Sequence, residues 1–131
     1  MADTLPTTLT VWQGRYQEID GIAQDDDDIA LGIEDPVLLK FVVKEYYTDA
    51  DSAALITKTS ATATEIRKID TDAGTYRIFI QGSDTTEMTA GQTYVYEVVY
   101  ISNPDAATVK GYTMNQGKFV LNATVVDTLT S

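Results

Sequence analysis

A chain of 131 residues, 44% apolar and 22% charged, is the size of one domain and can bury a core of its own. Twenty acidic residues against nine basic ones give a formal charge of −11, which repels phosphate backbones and anionic lipid and so excludes nucleic acid and membrane surfaces as partners. Cysteine and histidine are both absent, which removes disulfides, thiolate metal sites, the commonest general base and the commonest transition-metal ligand together.

Residues 1–7 lack the basic region and apolar run of a signal peptide and carry too little apolar area for a core, so they are expected to form a flexible N-terminal arm. Thr8 to Gln13 and Tyr16 to Ile22 are predicted strands, rich in β-branched and aromatic residues. Trp12, the only tryptophan, has two readings. With Tyr16 it would form an exposed aromatic anchor of the kind that dominates interfaces; alternatively it closes one end of the core, which the average burial of tryptophan favours. Asp25, Asp26, Asp27 and Asp28 follow, oxygen ligands dense enough to make them calcium candidates. The spacing, glycine and terminal glutamate of an EF-hand are missing, and consecutive aspartates splay apart, so a solvated, self-repelling loop is the expectation, with no metal and no cofactor.

Val37 to Tyr46 alternates Leu39, Phe41 and Val43 against Lys40, Val42 and Lys44, a strand introduced by Pro36. If that strand continues through Tyr46 and Tyr47, the two rings point to opposite faces and one is a contact residue; Tyr47 is the interface candidate. Ala54 to Thr59 and Thr64 to Ile69 are weaker strands. Gly74 to Gln81 sets Tyr76, Ile78 and Ile80 inward and Arg77 on a wetter face. One helical turn is predicted over Ser83 to Ala90, capped by Ser83 or Asp84 and stopped at Gly91.

Thr93 to Ser102 alternates most clearly: Tyr94, Tyr96 and Val98 face the core, because Glu97 on the other side is costly to bury unpaired. A turn at Asn103-Pro104-Asp105 leads to a strand over Val109 to Met114, a second turn at Asn115-Gln116-Gly117, and a last strand from Gly117 to Val126 with Phe119 and Leu121 inward. These three form a predicted meander. Val120 to Thr130 has β-branched residues and few charges, so its end, with Val125 and Val126, is a candidate for extending a partner's sheet. The reading is one all-β domain over 8–126, an antiparallel, immunoglobulin-like β-sandwich of seven to nine short strands with at most one helical turn, followed by a tail at 127–131. An enzyme of this composition would depend on paired carboxylates, lysine or tyrosine, and no signature marks such a set. A non-enzymatic binding protein is expected.

The order of segments carries a resemblance. Val11-Trp12-Gln13-Gly14-Arg15-Tyr16 and Ile19-Asp20-Gly21 open the chain; Val37 to Lys44, the acidic turn Asp49 to Ala54 and Leu55 to Ser60 follow. Gly74-Thr75-Tyr76-Arg77-Ile78-Phe79-Ile80, Gly91 to Val98 and Gly117-Lys118-Phe119-Val120-Leu121 complete it. In these framework segments the chain resembles the small β-sandwich proteins encoded in the structural modules of tailed phages and prophages, and is similar to the N-terminal domain of the phage baseplate upper protein. It departs from them at Asp25 to Asp28, where glycine is usual. The resemblance implies a virion structural protein, assembled in the host cytoplasm and present in symmetric copies among other virion proteins. A baseplate or tail-fibre adaptor is the first expectation; capsid decoration or a head fibre, or a carbohydrate- or receptor-binding module, are the alternatives.

Overall fold

A computed structural model describes residues 8–25 and 27–124. Among these residues eight strands run in chain order: β1 (Thr8–Trp12), β2 (Gln17–Ile22), β3 (Leu38–Lys44), β4 (Ile56–Thr59), β5 (Ile66–Asp70), β6 (Thr75–Ile80), β7 (Thr93–Ile101) and β8 (Gly111–Asn122). They form a five-stranded sheet in the order β1-β8-β7-β3-β4 and a three-stranded sheet in the order β2-β6-β5. The second, fifth and sixth strands thus share one sheet and the third, seventh and eighth the other, the connectivity of an immunoglobulin-like sandwich. The expected fold class is found. Every pair is antiparallel except one: β1 lies parallel to β8, from Thr8 opposite Lys118 to Trp12 opposite Asn122. These strands stand at opposite ends of the described chain, so no tight turn dictates their direction.

Period-two patterning builds the core as predicted. Leu39, Phe41 and Val43 of β3, Tyr76, Ile78 and Ile80 of β6, Tyr94, Tyr96 and Val98 of β7, and Phe119 and Leu121 of β8 are all buried, joined by Leu9 and Val11 of β1. Each such aliphatic or aromatic side chain contributes roughly 1.5–3 kcal/mol by leaving water. Gly21 stands inward opposite Tyr76 because the ring occupies the space of a side chain: an added Cβ would lie 2.5 Å from it.

Three elements differ from expectation. The meander is a hairpin: Asn115-Gln116-Gly117 makes no turn but runs through the middle of the single strand β8. Val98 pairs with Asn115 and Val99 with Thr113, so Met114 is the extra residue of a β-bulge and both Met114 and Asn115 are buried. The bulge, rather than a chain reversal, is what breaks the alternation there. The predicted turn at Asn103 does form, with the Ala106 N–H donating to the Asn103 carbonyl at 3.3 Å. The helical segment shortens to α1 (Gly82–Thr85), and its cap is Gln81: Gln81 N–H donates to the Asp84 carboxylate at 2.7 Å while the Asp84 N–H donates to the Gln81 carbonyl at 3.0 Å. A 3-10 turn at Asp51–Ala53 is a second helical piece, one more than expected.

Lys58 of β4 points inward, opposite Phe41, and its ammonium meets Asp84 of α1 at 2.7 Å. The aliphatic stem lies in the core while the head reaches its rim, so one ion pair ties the edge of the large sheet to the turn that follows β6.

Candidate functional site

The two sheets turn different outer faces to the surroundings. On the five-stranded sheet the segment between β3 and β4 folds back. Lys44 donates to the Asp49 carbonyl at 2.9 Å and to Asp51 at 2.9 Å, and Lys40 meets Asp51 at 3.1 Å. The two ammonium groups hold the Asp51 carboxyl below the usual carboxylate range. Tyr47 then reaches from the end of β3 across β7 to β8, its hydroxyl donating to the Gly117 carbonyl at 2.9 Å. Tyr47 lines one small cavity with Val42, Val95 and Glu97, and partial desolvation, with the Glu97 charge added to it, raises its hydroxyl pKa. Val42, predicted to face outward, lines the same cavity and is buried. The strand ends at Lys44, so the opposite-face condition for Tyr46 and Tyr47 does not arise, and both are exposed.

The outer face of the three-stranded sheet has no such cover. Tyr16 stacks on Phe79 with ring centroids 6.5 Å apart and planes at 22°, and its hydroxyl donates to Glu18 at 2.7 Å, which raises its pKa. Beside this pair Arg77 donates to Asp20 at 2.7 and 3.3 Å, with Glu18 at 3.5 Å. The fork holds the Asp20 carboxyl low. Arg67 is the cross-strand partner of Arg77. Tyr16, Ala63, Thr64, Arg67, Phe79 and Gln81 line an open recess of about 490 Å³. Further along the same face a second recess of about 420 Å³ lies between Ile22, Ile69 and Arg77, with Ile69 49% exposed.

The sequence-predicted residues separate. Trp12 is 47% exposed, so the core placement favoured by composition is overturned: Leu9 and Val11 take the inward positions of β1, and Trp12 falls on the outward phase of the five-stranded sheet. Tyr16 is 52% exposed but belongs to the face of the other sheet, so the two aromatics do not form one anchor. Val125, Val126, Asp26 and the arm at 1–7 lie outside the described residues. Asp25 uses its carboxylate on its own loop, accepting from the Asp27 and Ile29 N–H groups at 2.9 and 3.0 Å, and Asp28 takes a positive φ of 64°. Among the described residues no three acids converge to hold a metal ion. Arg67 and Phe79 were missed as site residues; the signal in the sequence was their outward phase on two strands otherwise read for their inward residues.

Among the described residues two carboxyls meet directly at Glu34 and Asp72. Glu34 shares a hydrogen bond with Asp72, which raises the Glu34 pKa. Carboxyls in direct contact leave no gap for a sugar and water, which glycoside hydrolysis needs at about 5–9.5 Å. Comparison with known proteins finds no family model that matches the chain and no significantly similar curated protein. The resemblance to phage proteins rests on the residues quoted for it alone.

Proposed function

We propose that this chain is a non-catalytic docking module, an immunoglobulin-like sandwich that holds other proteins through the open outer face of its three-stranded sheet. The observation that carries this reading is the Tyr16–Phe79 stack beside Arg67 and Arg77. Tyrosine and arginine on a rigid sheet, with exposed Ile69 on the same face, are the residue types that anchor interfaces. The sequence resemblance extends the proposal to a structural component of a tailed-phage particle, a baseplate or tail-fibre adaptor present in several copies, with capsid decoration or a head fibre as the alternative. Exposed Trp12 is what favours a second reading, a carbohydrate- or receptor-binding module.

Immunogold labelling of intact virions with antibody against the purified chain tests the particle role. Label at the tail tip is expected; label over the head favours decoration, and bare particles beside abundant free chain overturn the virion role. The docking face is tested by incorporation of Tyr16→Ala and Phe79→Ala into those particles, which should fall while a Trp12→Ala chain incorporates normally. The reverse pattern favours the second reading.

A further inference from the structure

Two guanidinium groups directly opposite on neighbouring strands repel each other. Arg77 is compensated by Asp20 and Glu18. Arg67 is exposed and, among the described residues, its side chain has neither an ion pair nor a hydrogen bond, although the chain carries 20 acids. The recess in which it stands has an aromatic floor in Tyr16 and Phe79 and holds a side chain or two rather than a globular surface. It opens beside β5, the last strand in the order β2-β6-β5, whose outer edge can accept an extended peptide.

We propose that this recess reads a carboxylate side chain, Asp or Glu, on an extended segment of a partner protein: the Arg67 guanidinium takes the carboxylate and the Tyr16–Phe79 rings take the neighbouring apolar side chain. The inference rests on the docking face described above and names what that face recognises. A carboxylate matches the planar fork of arginine and brings one negative charge, whereas polyanions such as nucleic acid meet the repulsion of the −11 chain. An incoming carboxylate also relieves the repulsion between Arg67 and Arg77.

The test is titration of the isotopically labelled chain with the capped peptide Gly-Glu-Leu-Gly, its Gly-Gln-Leu-Gly counterpart and glucuronic acid, followed by NMR. The glutamate peptide should shift the Arg67 Nε–H signal and the amides of Phe79 and Tyr16, and the glutamine peptide should bind about tenfold more weakly, the discrimination expected of a charged hydrogen-bonded pair. Arg67→Gln should abolish that preference without lowering the thermal midpoint, and Arg67→Lys should restore part of it. Equal binding of the two peptides, or glucuronic acid binding as well as the glutamate peptide, overturns the inference. If the peptides do not discriminate while Tyr16→Ala and Phe79→Ala still lose incorporation, the docking face stands and its carboxylate chemistry falls; if those variants incorporate normally, the docking face itself falls.

Discussion

Over β3 and β7 the outer face of the five-stranded sheet is roofed by its own chain, with Trp12 of β1 left exposed beyond the roof, while that of the three-stranded sheet is bare. On the first, Lys40, Lys44 and Asp51 latch a loop from which Tyr47 bonds across to Gly117, beside a cavity it lines with Val42 and Val95. On the second, Tyr16, Phe79 and Arg67 stand open, and charges are compensated only around Arg77. The same period-two pattern produced both faces, so the difference lies in what the connecting segments do. An apolar outward residue that the chain covers serves stability; one left open is available to a partner.

Substitutions in the layer beneath both faces should have the largest effect and be blind to the difference between them. Phe41 is buried and packs on Tyr96 at a centroid distance of 6.0 Å, so Phe41→Ala should cost about 3–5 kcal/mol in a urea unfolding titration. Next comes the clasp between the sheets. Asp84→Ala strands the Lys58 ammonium, which is 9% exposed, and removes the Gln81 cap, and about 2–3 kcal/mol should be lost. Lys58→Met should lose less than Asp84→Ala, because it leaves no buried charge. The roof comes third: Tyr47→Phe removes the bond to the Gly117 carbonyl and should cost about 1 kcal/mol. A Tyr16→Ala chain should unfold at the parent's midpoint. If Tyr16→Ala destabilised as much as Tyr47→Phe, the distinction between a face for stability and a face for contact would fail.

How much of this the sequence disclosed follows from which interactions are local. The inward phases of β3, β6 and β7 are legible because alternation is a property of one strand, and burial confirms Leu39, Ile78 and Tyr96 alike. Asn115-Gln116-Gly117 has turn composition, but the bulge at Met114 is set by pairing with Val98 and Val99 on the other strand of the hairpin, which no alternation within β8 discloses. Trp12 was misread because an average over tryptophans ignores that Leu9 and Val11 already fix the inward phase of β1. The site was less legible still. Arg67 faces Arg77 only through the register of β5 on β6, and Tyr47 meets Gly117 across 70 residues of sequence.

The smallest effects come from titration, and here the roof and the loops at the other end of β3 should respond to acid with opposite signs. The Asp51 carboxyl is held low by Lys44 and Lys40, so its contribution is present above the ordinary aspartate value of about 3.9 and is lost as pH falls through its lower folded value. Asp20, held low by Arg77, behaves alike on the bare face. Glu34 is raised by its hydrogen bond to Asp72, so the folded chain binds its proton more readily than the unfolded one does. Its contribution is present below the ordinary glutamate value of about 4.3 and is lost as pH rises through the raised folded value. Thermal midpoints measured downward from pH 7 should therefore hold or climb through the Glu34 range, aided by relief of the −11 charge, and then fall as Asp51 and Asp20 take protons. In Glu34→Gln the climb should shrink and the fall remain; in Asp51→Asn the fall should shrink and the climb remain. Both variants losing the same limb would mean that the roof and the acidic loops are not independent, and the contrast between the two regions would have to be redrawn.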